Sequence, residues 1–486
     1  MSNKPHLFSL TLFILLISCK AQHTFAWQQD SLSNETNDSL KIIIGTFLGN
    51  EQRNYYGQNP PSTLHVQWKY YLGKGKTVIS RKLGEREWAG AGWTGQPLLV
   101  EENQKLYLLQ GAYDHHLKKI DVQNQQLIWQ YAFDDVIKGT GTLWLNPVPE
   151  NNKDKVVIFQ GSRLGVGNYL DSKHIPSYRA ISYFEGSELW RLDVRWTDSY
   201  SRDVDGSALL IRDTLYIGLE NSMLTLIDPD YRNAQIKDSM LQPKIFKETQ
   251  LYTSEDVIKH KNNVVTESSP CILGNHLYIT SGAGHVYGYN LDTKEIDWDF
   301  YIGSDMDGSP VVTHDSCLLV SVEKQYINGQ GGVFKLDPYK SPDKAVIWYL
   351  PTKDTSYYGW KGGVIGSVGI NDYYNDGNKP YLAAFTSIDG YLYVVEHTCI
   401  NKSELVQGPN KKNQYHPPRI IEKIKTGPSI STPLIVDDKL IAAGYHGIHM
   451  YVHDKNDSLQ KIGYHPGEYE ARSEEHTSEL QSLLII

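Results

Sequence analysis

ESSPCILGNHLYITSGAGHVYGYNLDTKEIDWDFYIG, residues 267–303, decides the fold. Within it HLYIT (276–280) and HVYGY (285–289) alternate along the chain with period two, the pattern of half-buried strands. Asp292-Thr293-Lys294 supplies a tight turn before a further strand that carries Trp298. Small residues lead into the first apolar run, and a Gly-containing turn separates the second run from the third.

The same grammar recurs at a spacing of roughly 50–70 residues. Upstream, one copy spans 95–133 (GQPLLV, KLYLLQ, LIWQYAF), a second spans 141–194 and ends in ELWRLDV, and a third opens with DGSALLIRDTLYIGLENSMLTLIDPD at Asp205. Downstream come DGSPVVTHDSCLLVSVEK from Asp307, KPYLAAFTSIDGYLYVVE from Lys379 and STPLIVDDKLIAAGYHGIHMYVHD from Ser431. Four short strands per copy and no helical period predict an all-β fold, a β-propeller of four-stranded blades. The composition agrees, with 33 Tyr among 486 residues.

These copies resemble the pyrroloquinoline-quinone-type propeller repeat. The matching pieces are Ser269-Pro270, Tyr278-Ile279, Gly284, Tyr287, Tyr289, Asp292 and Trp298, and Asp389-Gly390-Tyr391-Leu392-Tyr393 repeats one of them. The resemblance covers most of the chain and implies the fold. Quinone-cofactor dehydrogenases that share the repeat also carry a calcium site, an Asp base and often a vicinal Cys pair. This sequence has no Cys-Cys pair, so quinone binding is not expected, and Ca²⁺ is the one ion that the repeat family would lead us to test.

The phase of the repeats bears on the number of blades. LHVQWKYYLG (64–73) reads as an isolated Trp strand, while the seventh copy supplies its own last strand near 459–464. The expectation is an eight-bladed ring whose last blade is truncated here and is completed by 64–73; the alternative is seven blades.

Both ends read differently from the middle. Residues 1–19 combine Lys4, a short apolar run and Leu16-Ile17-Ser18-Cys19, which resembles a bacterial lipobox with Cys19 as the lipidated residue. Residues 20–40 form a polar tether, 41–471 the propeller, and 472–486 (RSEEHTSELQSLLII) resemble the translation of a sequencing adapter and are set aside as non-native. The expected location is therefore outside the cytoplasm, on the periplasmic or cell-surface side of a bacterial membrane, held there by lipid. A net charge of -9 provides no basic footprint for nucleic acid. Cys271, Cys317 and Cys399 are an odd number and show no zinc spacing.

Two motifs could carry chemistry. Asp203-Val204-Asp205-Gly206-Ser207 and Asp305-Met306-Asp307-Gly308-Ser309 both precede a blade's innermost strand. With Glu267 and Trp93 at the same phase of other copies, they predict a ligand site on the rim of the channel, suited to a cation or to sugar hydroxyls; local turn chemistry explains the same residues. Asn371-Asp372-Tyr373-Tyr374-Asn375-Asp376-Gly377 is similar to a calcium loop in which Tyr takes a ligand position, and a plain hairpin loop is the competing reading. Adjacent His115 and His116 point to opposite faces of a strand and do not chelate together. No nucleophile elbow or phosphate loop is present in the sequence. The function expected is a non-catalytic, envelope-anchored scaffold that binds proteins or glycans; the alternative is a quinone- or calcium-dependent enzyme that uses the rim.

Overall fold

In the computed structural model, residues 40–80, 84–92, 94–164, 175–454 and 458–469 are described. Lipobox Cys19, most of the tether, Trp93 and the segment 472–486 lie outside them. The described residues belong to a compact unit that begins at Asp38.

Among the described residues, six four-stranded antiparallel sheets and one five-stranded sheet follow one another along the chain, beside three two-stranded ones. The quoted stretch becomes one of them, with strands Cys271–Leu273, His276–Ser281, His285–Asn290 and Glu295–Tyr301 in sequential order. We number the seven sheets as blades in chain order, so that this is blade 4. Blade 1 starts at Leu98, blade 2 at Thr142, blade 3 at Leu209, blade 5 at Val311, blade 6 at Gly369 and blade 7 at Leu434. In every blade the ladder between the third strand and the outermost one contains a register shift. Such bulges increase strand twist.

The repeat residues act between blades. The indole N–H of Trp129 donates to the Tyr183 carbonyl (2.9 Å), that of Trp298 to Lys340 (2.9 Å) and that of Trp348 to His397 (2.9 Å), each in the following blade. Near the start of the innermost strands the backbone N–H of Ser207 donates to Ser269 Oγ, Ser269 to Ser309 Oγ, Ser309 to Ser367 Oγ and Ser367 to Thr432 Oγ1, all between 2.8 and 3.0 Å. Blades 3 to 7 are thus joined by a ladder that runs in one direction. A glycine precedes Ser309 because a Cβ on Gly308 would lie 2.0 Å from Ser321 Oγ. Replacing Ser309 by Ala strands the buried N–H of Ser269, and we expect a loss of about 1–2 kcal/mol in denaturant unfolding; an unchanged midpoint would show the ladder to be dispensable.

The channel is filled by the chain itself. Strand Leu40–Ile44 pairs antiparallel with the innermost strand of blade 1, Leu40 opposite Glu102 and Ile44 near Leu99. The chain then turns at 45–50 and passes back along the innermost strands of blades 3 to 6. Leu143 N–H donates to the Gly45 carbonyl (2.8 Å), Ile272 N–H to Glu51 (2.8 Å), Val312 N–H to Gln52 (3.0 Å) and Ile370 N–H to Tyr56 Oη (3.0 Å). Arg53, fully buried, donates to the carbonyls of Pro270 (2.8 Å), Phe47 (2.6 Å) and Ser207 (3.2 Å) and to Thr46 Oγ1 (2.8 Å). Residues 40–57 form a hairpin-shaped axle, a feature for which the sequence reading allowed no room.

The segment 64–73 differs from its expected form. It has no strand pairing among the described residues. Leu64 lies against Ile441, Ile448 and Met450 of blade 7, whereas Trp68, Tyr70 and Leu72 lie against Leu99, Leu108 and Ile120 of blade 1. Without three neighbouring strands, its backbone has no ladder to join. The last strand of blade 7, Leu459–His465, comes from its own repeat, as expected.

Candidate functional site: an acidic mouth

Let the upper face be the side from which the chain passes into each innermost strand. The Asp-x-Asp-Gly-Ser motifs lie there, directly before the serine ladder. Their carboxylates form two groups.

In blade 3, Asp205 is 1 % exposed and faces Lys138 Nζ at 2.5 Å. Carboxylate oxygens of Asp205, Glu220 and Glu267 lie within 4.8 Å of one another. Glu220 accepts from Ser201 Oγ at 2.5 Å through one oxygen, while its other oxygen, Oε1, has no hydrogen-bond partner. Asp203 turns aside: Arg163 Nε (2.8 Å) and the Leu164 N–H (2.8 Å) hold its two oxygens.

In blade 5, the Asp305 and Asp307 carboxyls are close neighbours, and Glu323 acts electrostatically on both. Asn263 Nδ2 donates to Asp305 Oδ2 at 3.0 Å, whereas Asp305 Oδ1 and Asn263 Oδ1 are without hydrogen-bond partners. Glu267, between the two groups in sequence, acts electrostatically on Glu220, Asp305 and Glu323.

Burial, followed by the repulsion of neighbouring carboxylates, pushes Glu220, Asp305, Asp307 and Glu323 well above the usual carboxylate range. Burial also raises Asp205, against the pull of Lys138. On Lys138 burial acts downward, but Asp205, Glu220 and Glu267 outweigh it and hold the ammonium well above its ordinary value. Asp205, Glu220 and Glu267 therefore stand beside buried Lys138, Asp305, Asp307 and Glu323 form a second acidic group that acts electrostatically on the first, and acceptor oxygens of Glu220 and Asp305 have no protein donor. Such oxygens are costly unless a cation or a proton meets them.

Asp205, Glu267, Asp305 and Asp307 of the sequence reading all belong to this mouth. Glu220, Glu323 and Lys138 were missed. Alignment of the second strands would have revealed the first two, since YIGLEN (216–221) and LVSVEK (319–324) place an acid at one position where YITSGA (278–283) has none.

The loop 371–378 directs its oxygens elsewhere. Asn371 Oδ1 accepts from the Leu382 N–H (2.8 Å), Asn375 Oδ1 from Gly377 N–H (3.0 Å), and Asp376 from the backbone and side chain of Asn378 (3.0 and 2.9 Å). Asp372 accepts from His314 and His397 instead. The four residues do not converge on one point, and each is tied into turn or inter-blade hydrogen bonds.

Comparison of the sequence with protein-family models and with curated proteins gives no match. The fold does match solved structures. A quinohemoprotein alcohol dehydrogenase from Comamonas testosteroni aligns with a TM-score of 0.52 at 12 % identity, over 88 % of this chain and 74 % of that one. A quinohemoprotein alcohol dehydrogenase from Pseudomonas putida HK5 gives 0.50 at 12 %, over 88 % and 73 %. BamB from Moraxella catarrhalis gives 0.46 at 12 %, over 79 % and 96 %. The fold is a β-propeller like that of these quinohemoproteins, and at this identity the likeness concerns the fold alone. No helix among the described residues is long and apolar enough to cross a membrane.

Proposed function

We propose that this chain is a non-catalytic binding propeller of the bacterial envelope. Lipid on Cys19 holds it to a membrane, and its acidic mouth takes a divalent cation of the Ca²⁺ type, through which the upper face recognises hydroxyl or carboxylate groups of glycans or proteins. One observation carries this reading: buried oxygens of Glu220 and Asp305 have no donor, beside the exclusively oxygen ligands of Asp205, Glu267 and Asn263. Ca²⁺ selects sets of six to eight oxygen ligands from carboxylates and carbonyls. With Arg53 and the axle filling the channel below, a ligand meets the mouth from above.

The test is titration of the full chain with Ca²⁺, read by thermal unfolding and by Tb³⁺ luminescence sensitised through Tyr326, whose hydroxyl lies 3.2 Å from Asn263 Nδ2. We expect one saturable site, lost when Asp205 and Asp307 are both changed to Ala. No uptake by the intact chain, or full uptake by the double variant, would end the cation reading. Envelope partners that co-purify through the cation are released by chelator.

The alternative is a quinone- or calcium-dependent enzyme. The shared fold with quinohemoprotein alcohol dehydrogenases favours it. It predicts alcohol oxidation after reconstitution with quinone and Ca²⁺; the binding reading predicts none.

A further inference from the structure

We propose that His314, Asp372 and His397 form a second metal site, on the lower face between blades 5 and 6, that binds zinc. It is independent of the acidic mouth. His314 lies in the turn after the innermost strand of blade 5, Val311–Val312. Asp372 opens the short helical turn Asp372–Tyr374 after the innermost strand of blade 6, and His397 lies in the long third strand of that blade, Tyr391–Ile400. His314 Nδ1 is 3.0 Å from Asp372 Oδ2, and His397 Nε2 is 2.9 Å from Asp372 Oδ1. One ligand atom from each residue lies within 4.8 Å of the other two.

The donor set selects the metal. Two imidazole nitrogens and a carboxylate oxygen suit zinc and neighbouring first-row divalent ions, whereas Ca²⁺ prefers oxygen throughout. His397 and Asp372 are buried, with side-chain exposures of 0 and 2 %, but His314 is 33 % exposed. The metal therefore enters from the His314 side, where a water completes its coordination.

Both rings are held in place. His314 stacks on Tyr381 with centroids 3.4 Å apart and an interplanar angle of 11°, and its backbone N–H anchors Asp372 Oδ2 at 2.7 Å. On the far side of His397, Lys335 Nζ lies 3.2 Å from Nδ1. A metal on Nε2 leaves the ring's N–H at Nδ1, facing that ammonium, so Lys335 must swing off the ring. It keeps Asp315 Oδ2 (2.6 Å) and the His397 carbonyl (3.1 Å), both already in contact. Lys335 thus opposes the metal and sets its affinity, and Lys335→Gln, whose amide oxygen accepts the Nδ1 N–H, binds more tightly than the parent.

The experiment uses the full chain with excess Ca²⁺, so that the acidic mouth does not compete, and titrates it with Co²⁺ followed by displacement with Zn²⁺. We expect one Co²⁺ per chain, with the strong visible absorption of four- or five-coordinate cobalt, bleached by one equivalent of Zn²⁺. Removing a ligand in His314→Ala or Asp372→Asn weakens binding at least as much as loss of an outer-shell partner, about 10- to 100-fold. His314→Ala alters a partly exposed turn, so circular dichroism should remain that of the parent. Absence of the cobalt spectrum, or binding unchanged in both variants, overturns the site. Failure of the Ca²⁺ titration at the mouth leaves this readout untouched, so the two proposals fail separately.

Discussion

Arg53→Met lowers the free energy of unfolding by about 2–4 kcal/mol, because it leaves several buried acceptors without a donor. The guanidinium reaches three carbonyls and one hydroxyl from the axle and from blades 3 and 4, with no exposure to water. Methionine fills similar space but donates nothing, so the carbonyls of Pro270, Phe47 and Ser207 are left in a dry interior, each at a cost of about 1–3 kcal/mol if unrelieved. Denaturant unfolding reads the global loss. Hydrogen exchange reads where it falls, and we expect the amides of Leu40–Ile44 to exchange faster than those of the blades. A loss below about 1 kcal/mol, with strand protection intact, would mean that the axle is held by its apolar strand and not by Arg53.

The pair Asp305→Asn and Asp307→Asn produces the second large effect, a flattening of the pH dependence. In the parent without cation, both carboxyls titrate above their unfolded range. The native state therefore binds more protons than the unfolded state from about pH 4 upward, and stability falls as pH rises. The stabilisation is fully present below the unfolded carboxylate range of about 4 and is lost as pH climbs through the raised native values. Each proton so held costs about 1.4 kcal/mol per pH unit across the window. Asparagine is neutral throughout, so the double variant is more stable than the parent at pH 8 without cation, shows a flatter pH profile and no longer responds to Ca²⁺. If the parent gains stability from pH 5 to pH 8 in chelator, the mouth does not hold protons as its geometry implies.

The blades were legible because each is local. Strands such as His276–Ser281 and His285–Asn290 find their partners within 14 residues, and period-two alternation records which side chains face a neighbouring blade. Asp205, Asp305 and Asp307 were legible because one motif appears twice at one phase. What escaped was non-local. Arg53 sits in a stretch, GNEQRNYYGQ (49–58), that reads as an ordinary polar loop, and its carbonyl partner at Pro270 is 217 residues away. Asp372 read as one more oxygen in a loop of oxygens, while its partner His314 lies 58 residues upstream in another blade. The segment 64–73 was read as a strand from its Trp, but its backbone pairs with no strand among the described residues, because a Trp motif marks a repeat without supplying the neighbouring strands it would pair with.

The axle also fixes an order of events during synthesis. Residues 40–57 leave the ribosome before any blade, yet Asn54 donates to Val312, 258 residues later, and Tyr56 is bonded by Tyr374, 318 residues later. Ile42, Ile43 and Ile44 must wait, apolar and unpaired on one side, while successive sheets assemble around them. Contacts of such sequence separation are slow to form and leave sticky surface exposed in the interim. For this chain the first part of the propeller to be made is the last to be enclosed, so a chaperone that covers 40–57 until the blades have formed would govern how much of the protein reaches its final form.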